Sequence, residues 1–328
     1  MNTLGSTNWR AARTRRRILF FAMILCLLAG TAIAQNDNVV KVVQFKDGST
    51  IVGKIVEMNI YTVKIQAADG SIVVKKFDDI TSIQNKDDVV PQKSILPVHS
   101  LDIGLEAFYK EYKEPDVNVK ETGAMYGIAL GYTYHDRVMA KATLLFAYGE
   151  VNYENSGKLD GIPDHHWELR GLLGYDFPID PTFFITPYFG LGYRYLGDDS
   201  SGKISTTGAR GYKRESNYVY SPLGISLIKV LPEGWTLSAE AEYDIFWYGK
   251  QKSYPAGVEI SNTQNQGYGL RASIRMEKKF TYTSFFFEPF IRYWNIGQSD
   301  DYNVAPGVSL FEPKNNTTEY GVYVGVKF

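Results

Sequence analysis

Between Thr236 and Tyr248 the chain reads TLSAEAEYDIFWY, and this stretch constrains the fold more than any other. Leu237, Ala239, Ala241, Tyr243, Ile245 and Trp247 are apolar, while Ser238, Glu240, Glu242 and Asp244 between them are polar or acidic. A period of two places these sets on opposite faces of a β-strand. In a water-soluble sheet the apolar face would lie on a core. Here many other segments carry a similar apolar row, and no part of the chain is left over to cover them. The arrangement that satisfies both faces is a closed barrel, apolar outside against lipid and charged inside.

From Leu101 the alternation hardly stops. Ten strands are expected, at about 101–112, 122–134, 138–149, 167–177, 183–196, 217–230, 236–248, 267–278, 284–295 and 318–328. They are long enough for the ~9–11 residues that a tilted strand needs to cross a bilayer. Outward rows read Leu101, Ile103, Leu105, Ala107, Tyr109; then Ala124, Tyr126, Ile128, Leu130, Tyr132, Tyr134; then Trp167, Leu169, Gly171, Leu173, Tyr175, Phe177. Aromatics collect at the row ends, as in the interfacial girdles of membrane barrels, and the chain is 14% aromatic with 24 tyrosines. The connections alternate short and long. His135–Arg137, Pro178–Pro181, Leu231–Gly234 and residues 279–283 are short, whereas Lys113–Glu121, Glu150–His166, Gly197–Ser216, Gly249–Gln266 and Ile296–Thr317 are longer and polar. The expected fold class is all-β, a ten-stranded antiparallel transmembrane β-barrel preceded by a small β-barrel-like domain.

The last strand alternates Tyr320, Val322, Val324, Val326 and the terminal Phe328 with Gly321, Tyr323, Gly325 and Lys327. This ending resembles the C-terminal signal that Gram-negative barrel assembly machinery reads. The stretches SPLGISLIKV, SAEAEYDIFWYGK, NQGYGLRASIR and FEPFIRYWNI resemble uncharacterised outer-membrane β-barrel proteins of Gram-negative bacteria. The resemblance spans most of residues 101–328 and implies an outer-membrane location without naming an activity.

Export is also expected from the N-terminus. Arg13–Arg17 precede the apolar run Ile18–Leu28, and Ala32-Ile33-Ala34 forms an A-x-A cleavage site, so residues 1–34 read as a signal peptide. The one cysteine, Cys26, lies inside it, which leaves a mature chain without disulfides or thiol chemistry. The leader holds five arginines and no acid; taking them from 35 basic residues leaves 30 against 36 acidic ones. A mildly acidic chain with no basic stripe argues against a nucleic-acid partner.

Residues 35–83 form a compact β unit of short strands joined by Asp47-Gly48 and Asp69-Gly70, which are hairpin signals. Its KDG turn, GKI continuation and closing DDITSI strand resemble small Sm-like or SH3-like barrels. Such relatives bind RNA or peptides, but this unit lacks an aromatic-basic platform. A periplasmic spacer or docking module with a periplasmic partner is expected. Residues 84–100, with Pro91 and Pro97, read as a linker.

Within the barrel, Asp102, Glu106, Glu168, Asp176, Glu240, Glu242, Asp244 and Glu288 are expected to face Lys110, Lys141, Arg170, Arg194, Arg271, Arg275 and Arg292 across the lumen. Buried charges persist when paired, so a mutually neutralising interior follows. Phe246, Tyr248, Phe286, Phe290 and Trp294 are expected to narrow it further. The expected role is structural or surface-interacting, through long loops that contact external ligands or lipopolysaccharide. A narrow ion or small-solute channel is the alternative. A rim hydrolase is a second one, because omptin proteases and lipid A-modifying enzymes are small outer-membrane barrels. Its candidates would be Asp164, His165 and His166 in a rim loop, although the paired acids and Asp-x-His of omptins find no match here. No cofactor or metal is expected. The expected partners are outer-membrane lipid, lipopolysaccharide and the barrel assembly machinery.

Overall fold

The computed structural model describes residues 39–85, 95–305 and 308–328. The expected leader with Cys26 lies outside the described residues, as do residues 86–94 of the expected linker. The chain divides into two units, Met1–Lys93 and Ser94–Phe328, each described by itself.

The first unit holds β1 (Val40–Phe45), β2 (Thr50–Met58), β3 (Thr62–Ala67), β4 (Ile72–Lys76) and β5 (Ile80–Asn85). They form one antiparallel sheet in the order β4-β3-β2-β1-β5. Its core is Val43, Phe45, Val63 and Ile65. The two Asp-Gly turns use Gly48 and Gly70 at φ 81° and 84°, where a side chain would strain the backbone. The carboxylates of Asp47 and Asp69 accept the Ser49 and Ser71 N–H at 2.8 and 2.9 Å, closing each turn.

The second unit contains β6 (His99–Glu114), β7 (Val119–Asp136), β8 (Val138–Asn155), β9 (Gly157–Tyr175), β10 (Phe177–Asp180), β11 (Phe183–Asp199), β12 (Lys213–Val230), β13 (Trp235–Ser253), β14 (Ile260–Gln264), β15 (Gly267–Lys279), β16 (Ser284–Ile296), β17 (Tyr302–Ala305), β18 (Val308–Leu310) and β19 (Asn315–Lys327). Ten of these close a barrel in the order β6-β7-β8-β9-β11-β12-β13-β15-β16-β19, and β19 pairs with β6 to shut it. Every neighbouring pair is antiparallel. The short β10 pairs with β11, β14 extends the sheet beside the upper part of β13, and β17 and β18 form a separate ribbon.

The expected outward rows are the exposed ones. Leu105, Tyr126, Ile128, Phe146, Leu169, Leu173 and Tyr320 are all exposed, while their sequence neighbours turn inward and are largely buried. Short turns join the strands at one end; a single residue, Arg137 at φ 62°, lies between β7 and β8.

Two expectations are corrected. Strands of up to 19 residues stand well beyond a membrane span at the long-loop end. Much of Glu150–His166 and the flanks of Gly197–Ser216 are therefore strand, held by ladder pairs such as Gly149↔Asp164 and Asp198↔Arg214. Tyr248 does not face the lumen. A bulge places Val219 opposite Tyr248 but Tyr220 opposite Phe246, so Trp247 is an extra residue and the alternation changes phase. Phe246 and Gly249 are buried, whereas Trp247 and Tyr248 are exposed.

Inside the barrel, glycine makes room for rings. Gly192 pairs with Tyr220 and Gly224 with Tyr188, and a Cβ on either glycine would run into the facing ring. Both tyrosines are thereby laid flat across the lumen wall and buried.

Candidate functional site: the ion-paired lumen

Strand alternation aims one charged row from each wall at the same axis. At the short-turn end, Arg275 donates to Asp102 and Glu288, each at 2.6 Å, and its guanidinium lies 4.2 Å from the Phe286 ring centre. Lys141 pairs with Glu240 at 3.3 Å, and Lys327 with Glu277 at 2.7 Å nearer the mouth. Asp176 sits at this end too, between the His135 ring at 2.7 Å and the Thr186 hydroxyl at 2.6 Å.

Midway, Arg292 donates to both oxygens of Glu106 at 2.7 and 2.9 Å, and Arg170 pairs with Glu242. Arg271 donates to Glu168 through two nitrogens and to Asp244 at 2.8 Å. Tyr220 donates to Glu168 at 2.7 Å, so the ring seated over Gly192 also orients that carboxylate. Arg194 pairs with Glu319 and lies 5.5 Å from the Trp294 ring centre.

Thirteen of the fifteen lumen charges expected from the sequence, Asp102, Glu106, Lys141, Glu168, Arg170, Arg194, Glu240, Glu242, Asp244, Arg271, Arg275, Glu288 and Arg292, are ion-paired in the lumen; Glu106, Glu168, Arg170, Arg194, Glu242, Asp244, Arg271 and Arg292 join through Glu319 into one network, while Arg275 with Asp102 and Glu288, and Lys141 with Glu240, stand as separate groups. A buried cation stays ionised only where carboxylates replace its water, and each arginine here has that replacement. Two spaces lie beside these pairs: a cavity of about 110 Å³ beside Arg170 and Arg271, and one of about 370 Å³ at the short-turn mouth, beside Leu96, Pro97 and Phe328.

Sequence reasoning missed Glu319 and a second network nearer the long-loop end. There Arg214 pairs with Glu121, with Asp198 at 3.2 Å and with Glu114 at 3.3 Å. Arg214, Glu114, Glu121 and Asp198 had read as loop charges; only their places in the ladder reveal that they point inward.

The expected rim triad is not a rim loop. Asp164, His165 and His166 lie on β9, where alternation divides them. Asp164 faces inward and pairs with Lys110; His166 is buried beside Phe108, ring centres 5.7 Å apart. His165 points outward onto Tyr195 at 5.5 Å. The two histidines are on opposite faces of the wall, so they do not share one carboxylate. Among the described residues no group of three or more His, Cys, Asp or Glu could hold a metal ion.

Tyr320, Val322, Val324 and Val326 line the outward face of β19 as expected. Phe328 and Leu101 exchange backbone hydrogen bonds at 3.0 and 3.1 Å, which locks the barrel seam.

Residues 117–243, well under half of the chain, match the Autotransporter beta-domain family model. No curated protein matches the chain. Among solved structures, the outer-membrane protease OmpT of Escherichia coli aligns at 12% identity over 70% of this chain and 96% of its own, with a TM-score of 0.50. The β domain of the Bordetella autotransporter BrkA aligns at 13% identity over 68% of this chain and 98% of its own, TM-score 0.33. The P. putida toluene transporter TodX aligns at 9% identity over 71% of this chain and 90% of its own, TM-score 0.30. The fold is that of an outer-membrane β-barrel, and the chain belongs in the outer membrane of a Gram-negative bacterium.

Proposed function

We propose that this outer-membrane barrel is a closed platform rather than a conduit: a non-enzymatic protein that acts through its cell-surface face. The observation that carries the reading is the series of cross-lumen ion pairs, in which Arg275, Arg292, Arg271, Arg194 and Arg214 follow one another along the axis, each against at least one carboxylate. An ion entering the lumen would have to displace paired charges from one another, and Phe108, Phe286, Phe290 and Trp294 fill space between them.

The surface face is preorganised. The β11–β12 connection is bonded onto the β8–β9 hairpin: Lys203 donates to the carbonyls of Asp160 and Gly161 at 3.0 and 2.7 Å, and Thr207 to that of Ser156 at 2.8 Å. Loops held this way lose little freedom on binding, which favours recognition. Val117, Ile204, Val258 and Phe311 are exposed there, apolar contacts for a ligand or for lipopolysaccharide. Short turns then face the periplasm, the side on which β6 begins, and the N-terminal sheet is a periplasmic docking module. Tyr320, Val322, Val324, Val326 and Phe328 serve as the signal that the assembly machinery reads.

Planar-bilayer recording tests the reading. The purified barrel is expected to give no steady single-channel steps; reproducible steps from the native protein favour the channel reading and reject this one.

A further inference from the structure

We infer that Lys110 and Asp164 form an intramolecular isopeptide cross-link, a modification site on the inner wall of the barrel where the aspartate acylates the lysine nitrogen with loss of one water. The two side chains are in contact, and both are buried, at 6% and 0% exposure. They come from β6 and β9, with β7 and β8 between them in the sheet. The ladder shows what lets them meet. Lys110 is flanked by Gly123 of β7, and Asp164 by Gly149 of β8, so neither intervening strand sets a side chain beside the pair. The surroundings are apolar in both directions along the axis. Phe108, Met125 and Ala147 form a buried cluster one inward step toward the short-turn end, and the buried ladder pair Val151 and Ile162 lies one step the other way.

Lys110 differs in kind from the other cations of the lumen. Among the described residues it is the one buried lysine, whereas Arg170, Arg194, Arg214, Arg271, Arg275 and Arg292 are guanidiniums that keep their charge. Lys141 and Lys327, which also pair inside the barrel, are each 21% exposed near the short-turn mouth. An ammonium enclosed with one carboxylate can hand over its proton, because a neutral amine and a neutral acid cost less to bury than two ions. Asp164 adds a reason of its own. Its Oδ1 has no hydrogen-bond partner, so the carboxylate is buried with one oxygen unsatisfied. An amide puts a neutral oxygen in that place.

The step balances within the pair. The ammonium passes one proton to the Asp164 carboxylate, and the free Nζ attacks Cγ. As the nitrogen–carbon bond forms, a second proton leaves the nitrogen for the hydroxyl, and the carbon–oxygen bond breaks to release water. Nothing is oxidised or reduced. Glu121 of β7, one inward step from Gly123, acts electrostatically on both Lys110 and Asp164 and is placed to carry the second proton. Two groups already held together react as one molecule, which removes the association cost that an amide between separate molecules carries.

Mass spectrometry of the protein, purified folded from outer membranes and then denatured, reads the bond directly. The native chain should weigh one water less than the sequence between its termini, and a proteolytic digest should contain a branched peptide that joins Lys110 to Asp164. Lys110→Arg and Asp164→Ala should each have the full mass of their sequences. A native chain of full mass overturns the proposal, and so does a water lost elsewhere with Lys110 and Asp164 in separate peptides. Should neither variant assemble, the native digest alone decides. Glu121→Gln should leave a share of the chains unlinked; linkage as complete as in the native protein overturns the proton route given to Glu121.

Discussion

Arg194 on β11 and Glu319 on β19 meet as a fully buried ion pair, 125 residues apart in sequence and on strands that are not neighbours in the sheet. The pair spans the lumen, so it joins two walls that backbone hydrogen bonds never connect directly. Glu319 also faces Arg292 at 3.7 Å, and Arg194 faces Glu168 at 3.9 Å, which links this pair to the rest of the network.

Removing one member should be worse than removing both. Glu319→Leu leaves a buried guanidinium short of its partner and is expected to cost about 3–5 kcal/mol. Arg194→Met should cost a similar amount, and the double variant should recover much of the loss. Urea unfolding in lipid vesicles checks this; purely additive losses would show that the two side chains do not act together.

A ring over a glycine predicts a steric effect. Gly192→Leu drives Tyr220 off its seat and breaks its 2.7 Å bond to Glu168, so a loss of about 1–3 kcal/mol is expected. The same change at the exposed Gly171, where an added Cβ meets nothing, should be nearly neutral. Equal effects at the two positions would contradict the packing described.

The outward face should reject charge by depth. Ile128→Arg, in the middle of an apolar row, is expected to destabilise the barrel by about 2–4 kcal/mol. Val117→Arg, exposed in the β6–β7 turn, should cost under about 0.5 kcal/mol. The comparison is made by unfolding in lipid; a tolerated arginine at Ile128 would mean that water already reaches it.

The sequence announces what has a period. Ten apolar rows and the charges opposite them are visible because lipid demands an unbroken apolar face. Above the membrane that demand ends: around Asp160–His166 both faces are polar, so strand and loop look alike, and Arg214, Glu121 and Glu114 could not be seen as a cluster. Glu319 was different: it lies inside the expected strand 318–328, in phase with the inward Gly321 and Tyr323, so the alternation itself marks it as a lumen charge. Tyr248 was misplaced because one extra residue, Trp247, inverts every later face of β13, and nothing local in a run of three aromatics marks the bulge.

Nitroxide accessibility along β8 in lipid vesicles tests the arrangement most directly. Labels at Ala142, Leu144, Phe146 and Tyr148 should collide freely with oxygen dissolved in lipid, and labels at Lys141, Thr143, Leu145 and Ala147 should not, giving a period of two. A profile with no period, or one in which a water-soluble nickel complex quenches the first row best, would contradict a barrel that turns its apolar alternates to lipid and its charges to one another.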